Sequence, residues 1–243
     1  MVEMSDEDDL HREGRPLRVL CLGGGSICEA VMDHLASTNA SFVVLDTNPR
    51  CKVADRCQVH EGLWEGPPAL IIGDAIEGAM RLMEERTVDL IVPAIPGHAM
   101  GMLTMAWGGG RLSPRGSVAV LDGLNRALAG SGRAAMDEGN GVIIATLNTT
   151  ALPCPLDCPQ EGPCPITGQP REVDMDTVLE DVIARLGIAG VVIRPVRVGH
   201  FGAVTAEQAR ALRGLVEGLR AGEVMAVATS CSCHAIMNVF KVV

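Results

Sequence analysis

The chain alternates, almost from end to end, between short apolar runs and helix-like stretches, and that rhythm constrains its fold more than any single residue does. Leu17 to Leu22 is strand-like and stops at Gly23-Gly24-Gly25; a helix is predicted from Ser26 to Leu35, with Ser26 able to cap it. Phe42 to Asp46, Ala69 to Gly73 and Val88 to Ala94 are predicted strands, with a helix before the last of them. The pattern then predicts a strand over Ser117 to Leu121, a helix over Gly123 to Met136 and a strand over Gly141 to Thr146. Beyond a Pro-rich segment come a helix over Met175 to Leu186, a strand over Gly190 to Arg194, a helix over Thr205 to Leu219 and strands over Val224 to Thr229 and Ile236 to Val243. Strands alternating with helices mean βαβ units, and uninterrupted apolar runs fit strands covered on both faces.

Gly23-Gly24-Gly25-Ser26-Ile27-Cys28 lies between a strand and a helix, the position at which a dinucleotide pyrophosphate meets free N–H groups and a positive helix end. Cys28 stands where the third glycine of that fingerprint would be. Asp46 ends the second strand, where a carboxylate accepts from ribose hydroxyls and favours NAD, or another nucleotide with a free ribose, over NADP. The reading is an α/β fold: a Rossmann-like, mostly parallel sheet flanked by helices, with a Cys/Pro-rich loop inserted at its carboxyl edge. Residues 1–15 read as a frayed tail, 16–150 as the Rossmann-like domain, and 151–243 as the Cys-rich loop plus a βα continuation able to join the same sheet.

Val-Leu-Asp46-Thr-Asn-Pro, Ile-Ile-Gly73-Asp74-Ala75 and Val-Asp89-Leu-Ile-Val-Pro-Ala94 resemble the nucleotide-binding domain of the TrkA-N family, found in potassium-transport regulators. The resemblance spans residues 17–95. It implies a Rossmann domain with Gly23, Gly24, Gly25, Ser26 and Asp46 on the cofactor and Asp74 near its adenosine. Pro93-Ala-Ile-Pro96-Gly97-His98 departs from the family's usual exit from the fourth strand, and the cysteine-rich remainder does not resemble these regulators.

Five of the nine cysteines fall in two short segments: Cys154-x₃-Cys158-x₅-Cys164, stiffened by prolines at 153, 155, 159, 163 and 165, and Cys231-x-Cys233-His234. Each follows a predicted strand. If those strands run parallel, both segments emerge at the carboxyl edge, beside the glycine turn and Asp46. Soft thiolates there select an iron–sulfur cluster, Zn²⁺ or Cu(I). The spacing lacks the Cys-x₂-Cys knuckle of structural zinc, which favours a [4Fe–4S] cluster with zinc as the alternative. The ligand candidates are Cys154, Cys158, Cys164, Cys231, Cys233 and His234. A metal-free set of redox thiols is the competing reading. Cys21 and Cys28 read as small core residues, and Cys51 and Cys57 follow the second strand.

Other classes lose weight. The chain has two lysines, Lys52 and Lys241, and no tyrosine, so Schiff-base and Tyr-Lys dehydrogenase chemistry has almost nothing to use. A formal charge of -10 with no basic stripe argues against nucleic acid as a partner. No apolar stretch approaches the roughly 20 residues of a membrane span, and the acidic N-terminus is unlike a secretory leader. The expectation is cytoplasmic, where thiols stay reduced. His98, His200 and Arg194, with Arg197 beside it, follow strand-like runs and are the candidates for base and anion-binding roles. The function expected is a redox or cofactor-metabolism protein, as an iron–sulfur or NAD-dependent oxidoreductase. Its partners would be a small-molecule ligand or a redox protein, and a homodimer is permitted. The alternative is a non-enzymatic redox or ligand sensor with a structural zinc or cluster. A methyltransferase-like or biosynthetic enzyme is the third reading.

Overall fold

The computed structural model describes residues 15–59, 67–85, 88–137, 139–150, 152–155, 158, 162–171 and 173–243. In chain order the elements are β1 (Leu17–Leu22), α1 (Ser26–His34), β2 (Ala40–Asp46), β3 (Gln58–Val59), β4 (Ala69–Ile72), α2 (Ala75–Glu85), β5 (Leu90–Pro93) and α3 (Ala99–Trp107). They continue with β6 (Leu112–Pro114), α4 (Val118–Ala127), β7 (Arg133–Asp137), β8 (Val142–Thr146), α5 (Met175–Leu186) and β9 (Ala189–Ile193). The last are β10 (Val196–Val198), β11 (Phe201–Thr205), α6 (Ala206–Gly218), β12 (Val224–Ser230) and β13 (His234–Val242). The tail expected over residues 1–15 lies, apart from Arg15, outside the described residues; Arg15 grips both carboxylate oxygens of Asp89, at 2.9 and 2.7 Å.

The α/β class holds, in two compact units: residues 1–99 with 196–210, and 100–195 with 211–243. The boundary expected at 150/151 falls inside the second unit. The first unit carries a seven-stranded sheet in the order β10-β11-β5-β1-β2-β4-β3. β4, β2, β1 and β5 are parallel, and the order changes direction between β1 and β5. Val19, Cys21, Val44 and Val92 bury one face against Cys28, Val31 and Met32 of α1. On α2, Gly78 leaves room for Leu45: an added Cβ would stand 2.8 Å from its Cδ2.

The sheet does not continue as one parallel layer. β11 pairs antiparallel with β5, and β10 pairs with β11 through a Gly199-His200 turn, so the free edge of β5 is taken. The second unit builds its own six-stranded sheet, in the order β7-β8-β13-β12-β9 with β6 on β13, parallel only between β9 and β12.

The stretch expected as a strand at Ser117 to Leu121 is instead the start of α4. Ser117 is its N-cap, its Oγ accepting from Val120 N–H at 3.3 Å, and Val120, Leu124 and Leu128 recur at helical spacing on the buried face. The helix ends at Ala127, and the expected helical tail to Met136 becomes β7. Helices α4 and α5 approach closely where Gly123 meets Val182, 2.9 Å from the position of a Cβ.

Candidate metal centre

In the second unit, β13 runs antiparallel to both β8 and β12, so β8 and β12 point the same way. Thr146 at the end of β8 pairs with His234, and Ser230 at the end of β12 pairs with Ala235. The segments that follow those two strands therefore leave one edge of one sheet. The first is the loop from β8 to α5, which carries Cys154, Cys158 and Cys164. The second is the tight turn from β12 to β13, closed by Cys231 N–H donating to His234 O at 2.9 Å. Backbone bonds tie the pieces: Leu147 N–H to Cys233 O at 2.8 Å and Met175 N–H to Ser232 O at 3.1 Å.

All five thiols and the imidazole gather there. His234 stands between two sulfurs, with Nε2 at 3.3 Å from Cys154 Sγ and Nδ1 at 3.7 Å from Cys231 Sγ. Arg171 donates from Nε to Cys233 Sγ at 2.9 Å, from Nη2 to Cys158 Sγ at 3.4 Å and from Nη1 to Gly162 O at 2.8 Å. Asn148 organises the loop. Its Oδ1 accepts from the N–H and hydroxyl of Thr150 at 3.0 and 2.7 Å, and its Nδ2 donates to Leu152 O at 2.8 Å and faces Cys154 Sγ at 3.7 Å. Cys154, Cys158, Cys164, Cys233, Asn148 and Arg171 line a cavity of about 280 Å³.

Electrostatics divide the thiols. The Thr167 hydroxyl, with the backbone N–H groups of Thr167 and Ile166, converges on Cys164 and holds its thiol below the ordinary range. Burial pushes Cys154 up, against a hydrogen bond from Asn148. Burial also raises Cys233, opposed by the charge and hydrogen bond of Arg171. Burial lowers His234 and keeps its imidazole neutral, the form that ligates metals. Among the described residues, no three Cys, His, Asp or Glu side chains are drawn together as a single metal ion requires.

The expected base and anion-binding residues are divided between the units: His98, Arg197 and His200 belong to the first and Arg194 to the second. Arg194 forms an ion pair with the carboxylate of Asp176 on α5, which is 8% exposed. Arg197 lies on β10, donating to Gly199 O at 3.4 Å, and His200 is exposed at the tip of the β10–β11 hairpin. His98 is buried just before α3. The glycine turn belongs to the other sheet, so one sheet edge does not carry both sites. The sequence reading missed Arg171, and the backbone turn Cys164-Pro-Ile-Thr-Gly168 that shelters a thiol was the legible sign of a sulfur held in place.

In the first unit, Gly23 has φ +101°, and a Cβ there would stand 2.7 Å from Ala94 O, so the turn requires glycine. Asp46 accepts from Gly24 N–H at 2.7 Å and from Asn48 N–H at 2.8 Å, which fastens the turn to the end of β2. Cys51 Sγ lies 2.4 Å from where a Gly24 Cβ would be. The expected cap, Ser26, is the first helical residue instead. Gly25 holds the N-cap position, and Ser26 Oγ accepts from Lys52, which also pairs with Glu29 at 2.6 Å. Asp74 is itself a helix cap, its Oδ1 accepting from Ile76 and Glu77 N–H, both at 2.9 Å. The other four cysteines collect in this unit's core: Cys21 and Cys28 are fully buried in one cluster, and Cys51 and Cys57 pack against it.

No described helix is long and apolar enough to cross a membrane. No curated protein and no solved structure matches the chain. A protein family does match, over residues 116–243, a stretch that takes in α4 to β13 and all five of the gathered cysteines. The chain belongs to that family, which is described as "Uncharacterized protein, C-terminal domain".

Proposed function

We propose that this is a cytoplasmic redox or cofactor-metabolism protein whose second unit holds a thiolate-ligated iron–sulfur cluster and whose first unit binds a nucleotide. One observation carries the reading: two cysteine segments far apart in sequence deliver five thiols and an imidazole to one sheet edge, four of the thiols around one cavity. Cys154, Cys158, Cys164 and Cys233 are the ligands proposed.

Sequence spacing favours a cluster over zinc, because Cys154-x₃-Cys158-x₅-Cys164 lacks the Cys-x₂-Cys knuckle of structural zinc sites. A four-iron cluster takes one cysteine at each iron, and four cysteines line the cavity. When bound, such a cluster supplies one-electron transfer or Lewis-acid chemistry at an open iron position. The nucleotide reading is supported by the positive-φ glycine turn at the change of strand order and by Asp46 at the end of β2. It fits the TrkA-N resemblance of residues 17–95, with NAD as the first candidate. The partners proposed are a small-molecule ligand or a redox protein.

A second reading, a thiol-based redox sensor, is favoured by the His234 imidazole standing between Cys154 and Cys231. Anaerobic purification of the full chain, followed by iron, sulfide and zinc analysis and an absorption spectrum, separates the readings. Iron and sulfide in equal amounts with a broad visible band support the cluster, zinc alone overturns it, and no metal leaves the sensor. Calorimetric titration with NAD tests the first unit; absence of heat with NAD and with adenine nucleotides overturns that half.

A further inference from the structure

Arg171 presents its Nε and Nη2 to Cys233 and Cys158 side by side. This is the edge with which a guanidinium grips the two oxygens of a carboxylate, and here two sulfurs take the places of the oxygens. The two cysteines come from different segments, the β8–α5 loop and the β12–β13 turn. A third bond, Nη1 to Gly162 O at 2.8 Å, ties the backbone of the loop to the same side chain.

We propose that Arg171 is the positioning residue of this site: it clasps the two cysteine segments into one ligand set and sets the reduction potential of the cluster they hold. The inference rests on the cluster reading above. A cation donating two N–H···S bonds stabilises negative charge on sulfur. Reduction adds one electron to the cluster and makes it more negative, so the same cation favours the reduced state and raises the potential. A lysine ammonium in this place keeps the charge but loses the planar fork that spans two sulfurs.

The test uses the full-length protein, purified and reconstituted anaerobically, as wild type, R171M, R171K and R185M. Iron and sulfide are counted, and the potential is read by spectroscopic titration with dithionite as the electron donor. Arg185 is the control: it is an exposed arginine of the same unit, paired with Asp181 on α5 at 3.3 Å. The expected result is a potential more negative than wild type in R171M, an intermediate value in R171K and no shift in R185M. A merely structural arginine would change stability in R171M without moving the potential. Wild-type potential in R171M, or equal shifts in R171M and R185M, overturns the inference while leaving the cluster standing. If R171M takes up no iron, R171K decides: iron at a lowered potential supports the inference, and wild-type potential or no iron overturns it. Wild-type protein without iron and sulfide overturns the cluster reading, and this inference with it.

Discussion

Asn148 sits where the β8–α5 loop begins, and its replacement separates loop order from sulfur chemistry. Its side chain makes three bonds of 3.0 Å or less, two accepted from Thr150 and one donated to Leu152 O, and its amide faces Cys154 Sγ at 3.7 Å. At about 0.5–1.5 kcal/mol per net neutral bond, with water able to replace part of it at this half-exposed site, Asn148→Ala costs roughly 1–3 kcal/mol of loop order. If the loop must be ordered to hold metal, that is about 5- to 150-fold in apparent affinity. Asn148→Asp keeps both bonds from Thr150 and is the closer match in shape. It loses the donor to Leu152, however, and sets a carboxylate beside Cys154. Two like charges about 4 Å apart repel by ~1 kcal/mol in water and ~4 kcal/mol near a protein surface. The expected order of iron retained under chelator challenge is therefore wild type, then Asn148→Ala, then Asn148→Asp, an inversion of the isosteric order. Thermal midpoints should fall by about 2–4 °C for each kcal/mol lost, with the α4–α5 core untouched. Asn148→Asp holding iron as well as wild type would refute the reasoning, since Cys154 would then carry no negative charge in the loaded site.

In the first unit, Gly24→Ala places a methyl 2.4 Å from Cys51 Sγ and should destabilise by about 1–3 kcal/mol in urea unfolding; Cys51→Ala in the same chain should restore most of it, and additive costs would show that the contact is not the cause. Burial pushes the Cys57 thiol up to about 11, ahead of the effects of Cys28 and Cys51. A raised thiol pKa means that the unfolded chain ionises first. This contribution to stability is complete below the unfolded value near 9 and is lost as pH rises through about 11. Urea midpoints of Cys57→Ala should fall less steeply than wild type across that window, and parallel curves would count against the shift. Arg194→Ala leaves the buried Asp176 carboxylate without its ion pair and should lower stability by about 1–3 kcal/mol with iron content unchanged. Lost iron at unchanged stability would return Arg194 to the chemistry.

The parts of this molecule that were legible in its sequence are those governed by local rules. β1, α1, β2, β4 and α5 follow from apolar runs, a glycine turn and helix spacing, and they fall within a few residues of the expected bounds. Ser117 to Leu121 was misread because Val118-Ala-Val-Leu121 is too short a run for its period to show; the signal lay further on, at Leu124 and Leu128. The β10–β11 hairpin was missed because β11 pairs with β5, far back in the chain, and only that pairing makes Phe201–Thr205 a strand. Arg171 was beyond reach for the same reason: its two sulfur partners lie 13 and 62 residues away.

The convergence of the cysteine segments was legible, but by a route that the structure replaces. Parallel β8 and β12 were expected as members of a parallel sheet. They are parallel because β13 lies between them and runs antiparallel to each, so the edge that gathers the sulfurs is set by two antiparallel ladders. This makes the site depend on register. Thr146 faces His234 and Ser230 faces Ala235, which fixes the heights at which the loop and the turn depart. Successive side chains of a strand point to opposite faces. A slip of one residue in β13 would carry His234 away from Cys154 and turn Met237 and Val239 out of the core they share with α4 and α5. Burial of those two side chains, worth about 1.5–3 kcal/mol each, holds the imidazole between its sulfurs. The apolar half of the last strand thus positions the polar residue at its start.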